Sequence, residues 1–103
     1  MAKGYWVVRM DVHDPEKYVS EYASKNGPSI KAFGGKYLVR GGQYEVIEGT
    51  ARQRSVVIEF PSYQAALDCM KSPEYAALAE IRHQYGSGDV IVVEGYDAPE
   101  PGQ

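Results

Sequence analysis

Apolar and polar residues alternate along four segments of the chain, and apolar residues recur three and four positions apart in the stretches between them. Alternation with many β-branched and aromatic residues predicts strands, and the three-and-four spacing predicts helices. The predicted strands are Gly4 to Val12, Lys36 to Glu48, Arg54 to Phe60 and Asp89 to Tyr96.

Helix starts are marked by short polar residues that can accept hydrogen bonds from free backbone amides. Asp14-Pro15 opens the first helix, which Asn26-Gly27-Pro28 interrupts, and Ser62 opens the second. Ser72-Pro73 repeats the start signal, so the second helix is expected in two parts. The order β-α-β-β-α-β predicts an α+β, ferredoxin-like antiparallel sheet with both helices on one face. Residues 1–97 form the single predicted domain, and residues 98–103 a flexible C-terminal tail.

One face of such a sheet has no helices over it. Counting by twos puts Trp6 and Val8 of the first strand under the helices. The uncovered face is then predicted to hold Tyr5, Val7, Leu38, Val57, Val90 and Val92. Leaving these side chains in water loses on the order of 10 kcal/mol of burial free energy, which is comparable to the ~5 to 15 kcal/mol stability of a whole domain. We therefore expect a homodimer in which the uncovered sheet faces meet.

The same counting gives the uncovered face four charged residues, two of each sign. They are Arg9, Arg40, Glu59 and Glu94. One interpretation is that they form salt bridges at the dimer or point into water at the strand ends. The other is a site in which Arg40 holds a carboxylate or oxyanion and Glu59 accepts a proton, with Arg9 and Glu94 as candidate ligand contacts.

Gly41-Gly42 directly follows Arg40 and has two interpretations. The pair could form a hairpin turn, or a glycine bulge that bends one long strand. The bulge is favoured, because it leaves Tyr44 to Glu48 free to pair with Arg54 to Ile58.

Composition and charge exclude several kinds of function. The net charge is -3 and no basic block occurs, which argues against a nucleic-acid partner. No apolar run reaches the ~20 residues of a membrane span, and the N-terminal residues do not resemble a signal peptide, so a cytoplasmic protein is expected. Cys69 is the one cysteine, and His13 and His83 are the two histidines. No metal site or cofactor is predicted from them.

Several segments together resemble the bacterial DUF1330 family, nearly from end to end. The segments are GYWVVRMDVHDPEKY, NGPSIKAFGGKYLVRGG, VIEG, VVIEFPSYQAAL, SPEY and VIVVEGYD. The resemblance implies a ferredoxin-like protomer of the dimeric α/β-barrel superfamily. It carries no established activity.

The wider superfamily is similar in fold to cofactor-free monooxygenases and muconolactone isomerases, whose ligands lie between sheet and helices. That similarity implies polar and aromatic residues as ligand contacts, for which Asn26, Trp6, Tyr22 and Arg40 are counterparts by residue type. Trp6 is also well explained as core, and Asn26 as a cap at the helix break.

Two functions of different classes follow. The first is a cofactor-free enzyme, an isomerase or monooxygenase for a small organic acid or aromatic, in which Arg40 holds an anionic oxygen and Glu59 or a tyrosine moves a proton. The second is a non-catalytic dimeric module that binds a small molecule or only packs against itself.

Overall fold

The structure, a computed structural model, describes residues 2–97 of the 103-residue chain. The predicted tail, residues 98–103, lies outside the described residues. The elements in chain order are β1 (Gly4–Val12), α1 (Pro15–Lys17), a π-helical turn (Tyr18–Ala23), α2 (Gly27–Ala32), β2 (Lys36–Arg40), β3 (Arg54–Phe60), α3 (Tyr63–Lys71), α4 (Pro73–Tyr85) and β4 (Gly86–Glu94).

The four strands form one antiparallel sheet in the order β2-β3-β1-β4. The two central strands, β3 and β1, are distant in sequence, which is the arrangement that the β-α-β-β-α-β order predicts. The α+β, ferredoxin-like fold is therefore confirmed.

The helices begin where the capping residues predict. Asp14, Ser62 and Ser72 each accept a hydrogen bond from the backbone amide three residues further on. Each cap satisfies an amide that the first helical turn leaves free. The second helix is divided as expected, because Ser72 adopts an extended conformation between α3 and α4.

The core lies between the sheet and the helices. It contains alternate residues of the central strands: Trp6, Val8 and Met10 of β1, and Val56, Ile58 and Phe60 of β3. The Trp6 indole also donates a hydrogen bond to the Ala66 carbonyl at 2.8 Å, which ties β1 to α3. The predicted faces of β1 and β3 are thus confirmed, and each large apolar side chain buried there contributes ~1.5 to 3 kcal/mol.

The predicted faces of β4 are wrong. Val92 pairs with Trp6 and Val90 with Val8, so both valines lie on the side of the helices. Ile91 and Val93 lie on the uncovered face, 56% and 41% exposed. All four residues from Val90 to Val93 are aliphatic, so alternation carries no information about which pair points inward.

The predicted faces of β2 are right at Tyr37 but wrong at Val39 and Arg40, because a bulge interrupts the pairing with β3 between Tyr37 and Val39. Leu38 is therefore an extra residue in β2, between the pairs Tyr37–Ile58 and Val39–Val57. This puts the side chains of Tyr37 and Arg40 on the same side of the sheet. Arg40 pairs with the buried Val56, so that side is the one covered by helices.

The bulge expected at Gly41-Gly42, and extended structure up to Glu48, do not occur. Gly41 has a positive φ of 69°, and its amide donates to the Ser55 carbonyl at 2.8 Å, where the strand ends. Residues 42–49, the arm, follow outside the sheet. Within the part of the chain that the structure describes, no backbone hydrogen bond involves the arm.

Candidate functional site

A small cavity lies between the covered face of the sheet and the π-helical turn. Its walls are mainly aromatic and aliphatic side chains of β1, β3 and the turn, and its polar groups include Asn26, Arg40 and Arg54. The cavity volume is about 20 Å³. A water molecule or the charged end of a small ligand fits such a space, whereas an aromatic ring does not.

The π-helical turn shapes the inner wall of the cavity. The Ser24 amide donates to the Val19 carbonyl five residues earlier, at 2.9 Å, which is the wider spacing of a π-helix. The turn directs Tyr18 and Tyr22 inward, and both are buried. It also leaves the Ala23 carbonyl available to the guanidinium of Arg40, which donates to it at 2.8 Å.

Arg40 stands at the mouth of this cavity, so its predicted place on the uncovered face is wrong. Its guanidinium carbon lies 4.2 Å from the centre of the Tyr37 ring, within cation–π distance. The Tyr37 hydroxyl in turn donates to the side-chain carbonyl of Asn26 at 2.5 Å. The structure therefore brings Asn26 and Tyr22 together with Arg40 at one cavity.

Asn26 had two interpretations, a ligand contact or a cap at the helix break. It occupies the capping position of α2, but its side chain makes no capping hydrogen bond. It is 5% exposed and turns to Tyr37 instead. The amide group of Asn26 thus belongs to the cavity wall.

Arg54 is a second guanidinium in the cavity and was not predicted. Its Nε is buried and has no hydrogen-bond partner among residues 2–97, and its guanidinium carbon lies 5.8 Å from the centre of the Tyr18 ring. Gly41 packs against this side chain, so closely that a Cβ at position 41 would overlap the guanidinium. The sequence did contain a signal, since counting by twos puts Arg54 on the buried side with Val56.

Neither arginine of the cavity has an acidic partner in the part of the chain that the structure describes. Among residues 2–97, no carboxylate lies within 4.0 Å of the guanidinium of Arg40 or Arg54. Arg40 is exposed at the cavity mouth, but the Nε of Arg54 is removed from water, and a charged group in that position normally pairs with an opposite charge. The cavity therefore carries positive charge that the described chain does not balance.

Two tyrosines at the inner end of the site share a hydrogen bond. The hydroxyls of Tyr22 and Tyr75 are 2.5 Å apart and both rings are buried. Burial is the main cause that raises the pKa of each phenol above its usual value. Both hydroxyls are therefore uncharged at neutral pH and act as hydrogen-bond donors and acceptors.

The other three predicted site residues lie elsewhere. Arg9 is on the uncovered face and donates to the Thr50 carbonyl at 3.4 Å. Glu59 is on the same face, with the ammonium groups of Lys36 and Lys3 at 3.6 and 3.9 Å. Glu94 is exposed at the end of β4. The sheet separates Glu59 from Arg40, so the four charged residues do not form one cluster in the protomer.

Other chemistry is sparse in the described region. Among residues 2–97, no three histidine, cysteine, aspartate or glutamate side chains lie close enough together to hold a metal ion. None of the helices in this range has the length and hydrophobicity needed to cross a membrane. Cys69 is buried, and burial raises the pKa of its thiol to about 11, so the thiol is not ionised at neutral pH.

Several solved structures, including the following three, are similar to this chain in fold. One is a protein of unknown function, RPA0582 from Rhodopseudomonas palustris, with a TM-score of 0.70, 17% identity and coverage of 97% of this chain and 85% of that chain. Another is SnoaB, a cofactor-independent oxygenase from Streptomyces nogalater, with a TM-score of 0.65, 14% identity and coverage of 97% and 100%. The third is an ethyl tert-butyl ether (ethd) family protein from Bacillus halodurans, with a TM-score of 0.56, 10% identity and coverage of 93% and 100%.

At these identities the likeness concerns the fold alone. A search of curated proteins finds no match. A family model described as a domain of unknown function, DUF1330, matches residues 3–96, which is almost the whole chain. The chain therefore belongs to the DUF1330 family, as its sequence segments predicted.

Proposed function

We propose that the cavity between sheet and helices binds a small organic acid or aromatic ligand through an anionic oxygen. The observation that carries the proposal is the pair of guanidinium groups, Arg40 and Arg54, at one aromatic-lined cavity without a carboxylate partner among residues 2–97. A hydrogen bond to a charged group contributes ~1.5 to 3 kcal/mol. An anion that accepts a hydrogen bond from each arginine would gain this free energy twice and would balance their positive charge.

The size of the cavity limits how the ligand enters. With about 20 Å³, the cavity accepts the charged end of a ligand but not its body. The body would remain at the mouth, beside Tyr37 and the exposed part of Arg40. A carboxylate, an enolate or a phenolate presents a suitable oxygen, and a planar ligand would also pack on the aromatic side chains.

We further propose that the protein is an enzyme of the cofactor-free kind, an isomerase or monooxygenase. Arg40 would stabilise negative charge on the ligand oxygen, and a tyrosine of the cavity would supply or accept the proton. SnoaB, which is similar in fold, is a cofactor-independent oxygenase and supports this choice by analogy alone. Glu59 has no part in this site within one protomer, because the sheet lies between it and Arg40.

Ligand binding is tested by titrating the protein with benzoate or acetate and with the neutral amides benzamide and acetamide. We expect a rise in melting temperature with at least one carboxylate and none with its amide. Arg40→Ala should abolish that rise without unfolding the protein. Arg52→Ala is the matched control, since Arg52 is paired with Asp11 and Asp89 outside the cavity. Equal shifts with acid and amide would contradict the proposal.

The alternative function is that of a non-catalytic dimeric module. Measuring whether a bound ligand is chemically converted distinguishes this module from the enzyme. A ligand that is bound and recovered unchanged after prolonged incubation in air at several pH values would favour the binding module. A ligand whose mass changes in wild type but not in Arg40→Ala would favour the enzyme.

We also propose that the protein is a homodimer through the uncovered sheet face. That face exposes Val39, Ile91 and Val93, and the arm exposes Tyr44, Val46 and Ile47, the last 81% exposed. The protomer thus displays an apolar face together with an apolar arm that makes no backbone hydrogen bond within residues 2–97. A second copy of the chain would cover the apolar sheet face and the arm together.

Light scattering at micromolar concentration tests the dimer. Wild type should have twice the protomer mass, and Ile91→Asp, which buries a charge in the proposed interface, should be monomeric. His83→Asp, on the surface of α4, is the control and should stay dimeric. A monomeric wild type would contradict the proposal.

Cys69 has a free buried thiol, which suits a reducing compartment, and we propose the cytoplasm as the location.

A further inference from the structure

Tyr37 contacts two polar residues of the cavity wall with different parts of its side chain. The Arg40 guanidinium lies over the ring, with its carbon 4.2 Å from the ring centre, and the Tyr37 hydroxyl donates to the Asn26 side-chain oxygen at 2.5 Å. The proposed anion site uses the charge of Arg40 but gives Asn26 no task. Tyr37 therefore links a cation and an uncharged amide of the same cavity.

The bulge in β2 makes this double contact possible. In a regular strand, residues three apart point to opposite faces of the sheet. Leu38 is an extra residue in the pairing with β3, so Tyr37 and Arg40 lie on the same face. A second restraint on Arg40 comes from the π-helical turn, where the Ala23 carbonyl accepts from its guanidinium at 2.8 Å. Arg40 is thus held by two contacts although it lies at the exposed mouth.

The Asn26 carboxamide lines the cavity and is buried, with 5% exposure. Its oxygen accepts from the Tyr37 hydroxyl, and burial raises the pKa of that phenol, so the hydroxyl keeps its proton at neutral pH. The other polar atom of the carboxamide is the nitrogen, which carries two N–H donors. These N–H groups point in different directions, so a single neighbouring acceptor takes only one of them. At least one N–H therefore remains for a ligand.

The donors of the cavity suit two kinds of oxygen. Guanidinium groups balance negative charge, as on a carboxylate, whereas an uncharged amide N–H pairs well with an uncharged carbonyl oxygen. Because the cavity volume is only about 20 Å³, both oxygens can enter only if they are bound to adjacent carbon atoms. A 2-oxo acid has this arrangement.

We propose that Tyr37 is a positioning residue that holds Arg40 with its ring and Asn26 with its hydroxyl, so that the cavity takes an organic acid with a carbonyl oxygen beside the carboxylate. Arg40 and Arg54 hold the carboxylate, and Asn26 donates to the carbonyl oxygen. The inference rests on the proposed function, because it requires an anion in the cavity. It adds the chemical class of the ligand and separates the task of the Tyr37 hydroxyl from that of the ring.

Two pairs of acids that differ only in the second oxygen test the class of ligand. Phenylglyoxylate and pyruvate carry a carbonyl group where phenylacetate and propionate carry a CH2 group. Affinities are measured by calorimetry, and the oxo preference is the ratio of the two affinities within a pair. Wild type should have an oxo preference of about threefold to tenfold in at least one pair, which is the gain from one uncharged hydrogen bond. A preference for the CH2 acids would mean that Asn26 presents its oxygen to the ligand, and would overturn the inference.

Substitutions separate the hydroxyl of Tyr37 from its ring. Tyr37→Phe keeps the ring beside Arg40, so the affinity for phenylacetate should be unchanged while the oxo preference is lost. Asn26→Ala should lose the oxo preference to the same extent, and the double variant should lose no more than either single variant. Tyr37→Leu also removes the ring, so it should bind both acids of a pair about twofold to fivefold more weakly than Tyr37→Phe. Tyr63→Phe, on the surface of α3, is the control and should behave as wild type.

The outcomes distinguish the inference from the anion site on which it rests. If wild type binds phenylacetate better than phenylacetamide but has no oxo preference, the inference is wrong and the anion site stands. The inference is also wrong if Tyr37→Phe keeps the oxo preference, if it loses affinity for both acids equally, or if Tyr37→Leu binds both as tightly as Tyr37→Phe. If wild type prefers no carboxylate to its amide, both proposals fall. Tyr37→Phe removes a single oxygen atom and decides the question where a thermal melt shows that Asn26→Ala does not fold.

Discussion

Two arginines that lie two residues apart in the chain have opposite surroundings. Arg52 is at the rim of the uncovered face and pairs with the carboxylates of Asp11 and Asp89 at 2.8 and 2.9 Å. Arg54 turns to the covered face, where its Nε has no hydrogen-bond partner among residues 2–97 and where Arg40 also lines the cavity. The comparison separates a charge that the fold has neutralised from a charge that is left for a ligand.

The largest expected effect is on the free energy of unfolding, and it compares two isoleucines on opposite faces of the sheet. Ile58 is 2% exposed on the covered face and Ile91 is 56% exposed on the other. Ile58→Ala should lower the free energy of unfolding by about 2 to 5 kcal/mol, because it leaves a cavity in the core. Ile91→Ala should change it by less than about 0.5 kcal/mol.

Urea unfolding checks this at a protein concentration where the protomer is monomeric. Similar losses for both variants would show that the uncovered face is packed within the protomer, which would remove the reason for expecting a dimer.

A smaller effect is expected from glycines that differ only in their neighbours. Gly41 and Gly49 both have positive φ values, of 69° and 74°, but a Cβ at Gly41 would meet Arg54, whereas a Cβ at Gly49 would have no atom of residues 2–97 within 4 Å. Alanine at either position should cost about 1 kcal/mol of unfolding free energy through backbone strain. Gly41→Ala should also displace the Arg54 guanidinium and weaken carboxylate binding severalfold, whereas Gly49→Ala should not.

Thermal melts and calorimetric titrations of the two variants provide the comparison. Unchanged carboxylate affinity in Gly41→Ala would mean that the position of Arg54 does not matter for binding.

The smallest expected effect concerns the paired carboxylate at the rim. The backbone amide of Gln53, and with it Arg52, holds the pKa of Asp11 below its usual value. A lowered pKa means that the contribution to stability is present above about pH 4, the unfolded value, and is lost as the pH falls through the folded value. Wild type should therefore be more stable than Asp11→Asn near neutral pH, and the difference should shrink in acid.

Urea midpoints of both proteins across the acidic range measure this difference. A constant gap at all pH values would indicate that the Asp11 charge contributes nothing and that the rim is not neutralised as described.

The sequence predicts the fold well where the local signals are unambiguous. Strict alternation fixed the faces of β1 and β3, and the side chains of Asp14, Ser62 and Ser72 marked the helix starts. Alternation gives no answer in β4, because Val90 to Val93 are all aliphatic. The π-helical turn has no residue pattern that distinguishes it from an α-helix.

The site was only partly predictable for a similar reason. A single inserted residue in β2 moved Arg40 from one face to the other, and no glycine or proline marks that bulge. Arg54, in contrast, follows from alternation with Val56 and Ile58. An arginine on the buried side of a strand was therefore the more reliable signal of this site than an arginine beside two glycines.

The most direct test replaces each member of the arginine pair by methionine and measures folding and binding together. Arg54→Met removes a half-buried charge that has no carboxylate partner among residues 2–97, so the free energy of unfolding should rise by about 1 kcal/mol while carboxylate affinity falls at least tenfold. Arg52→Met should lower stability slightly and leave carboxylate affinity unchanged. A loss of stability in Arg54→Met with unchanged carboxylate binding would contradict the account, because Arg54 would then be part of the scaffold and not of a site.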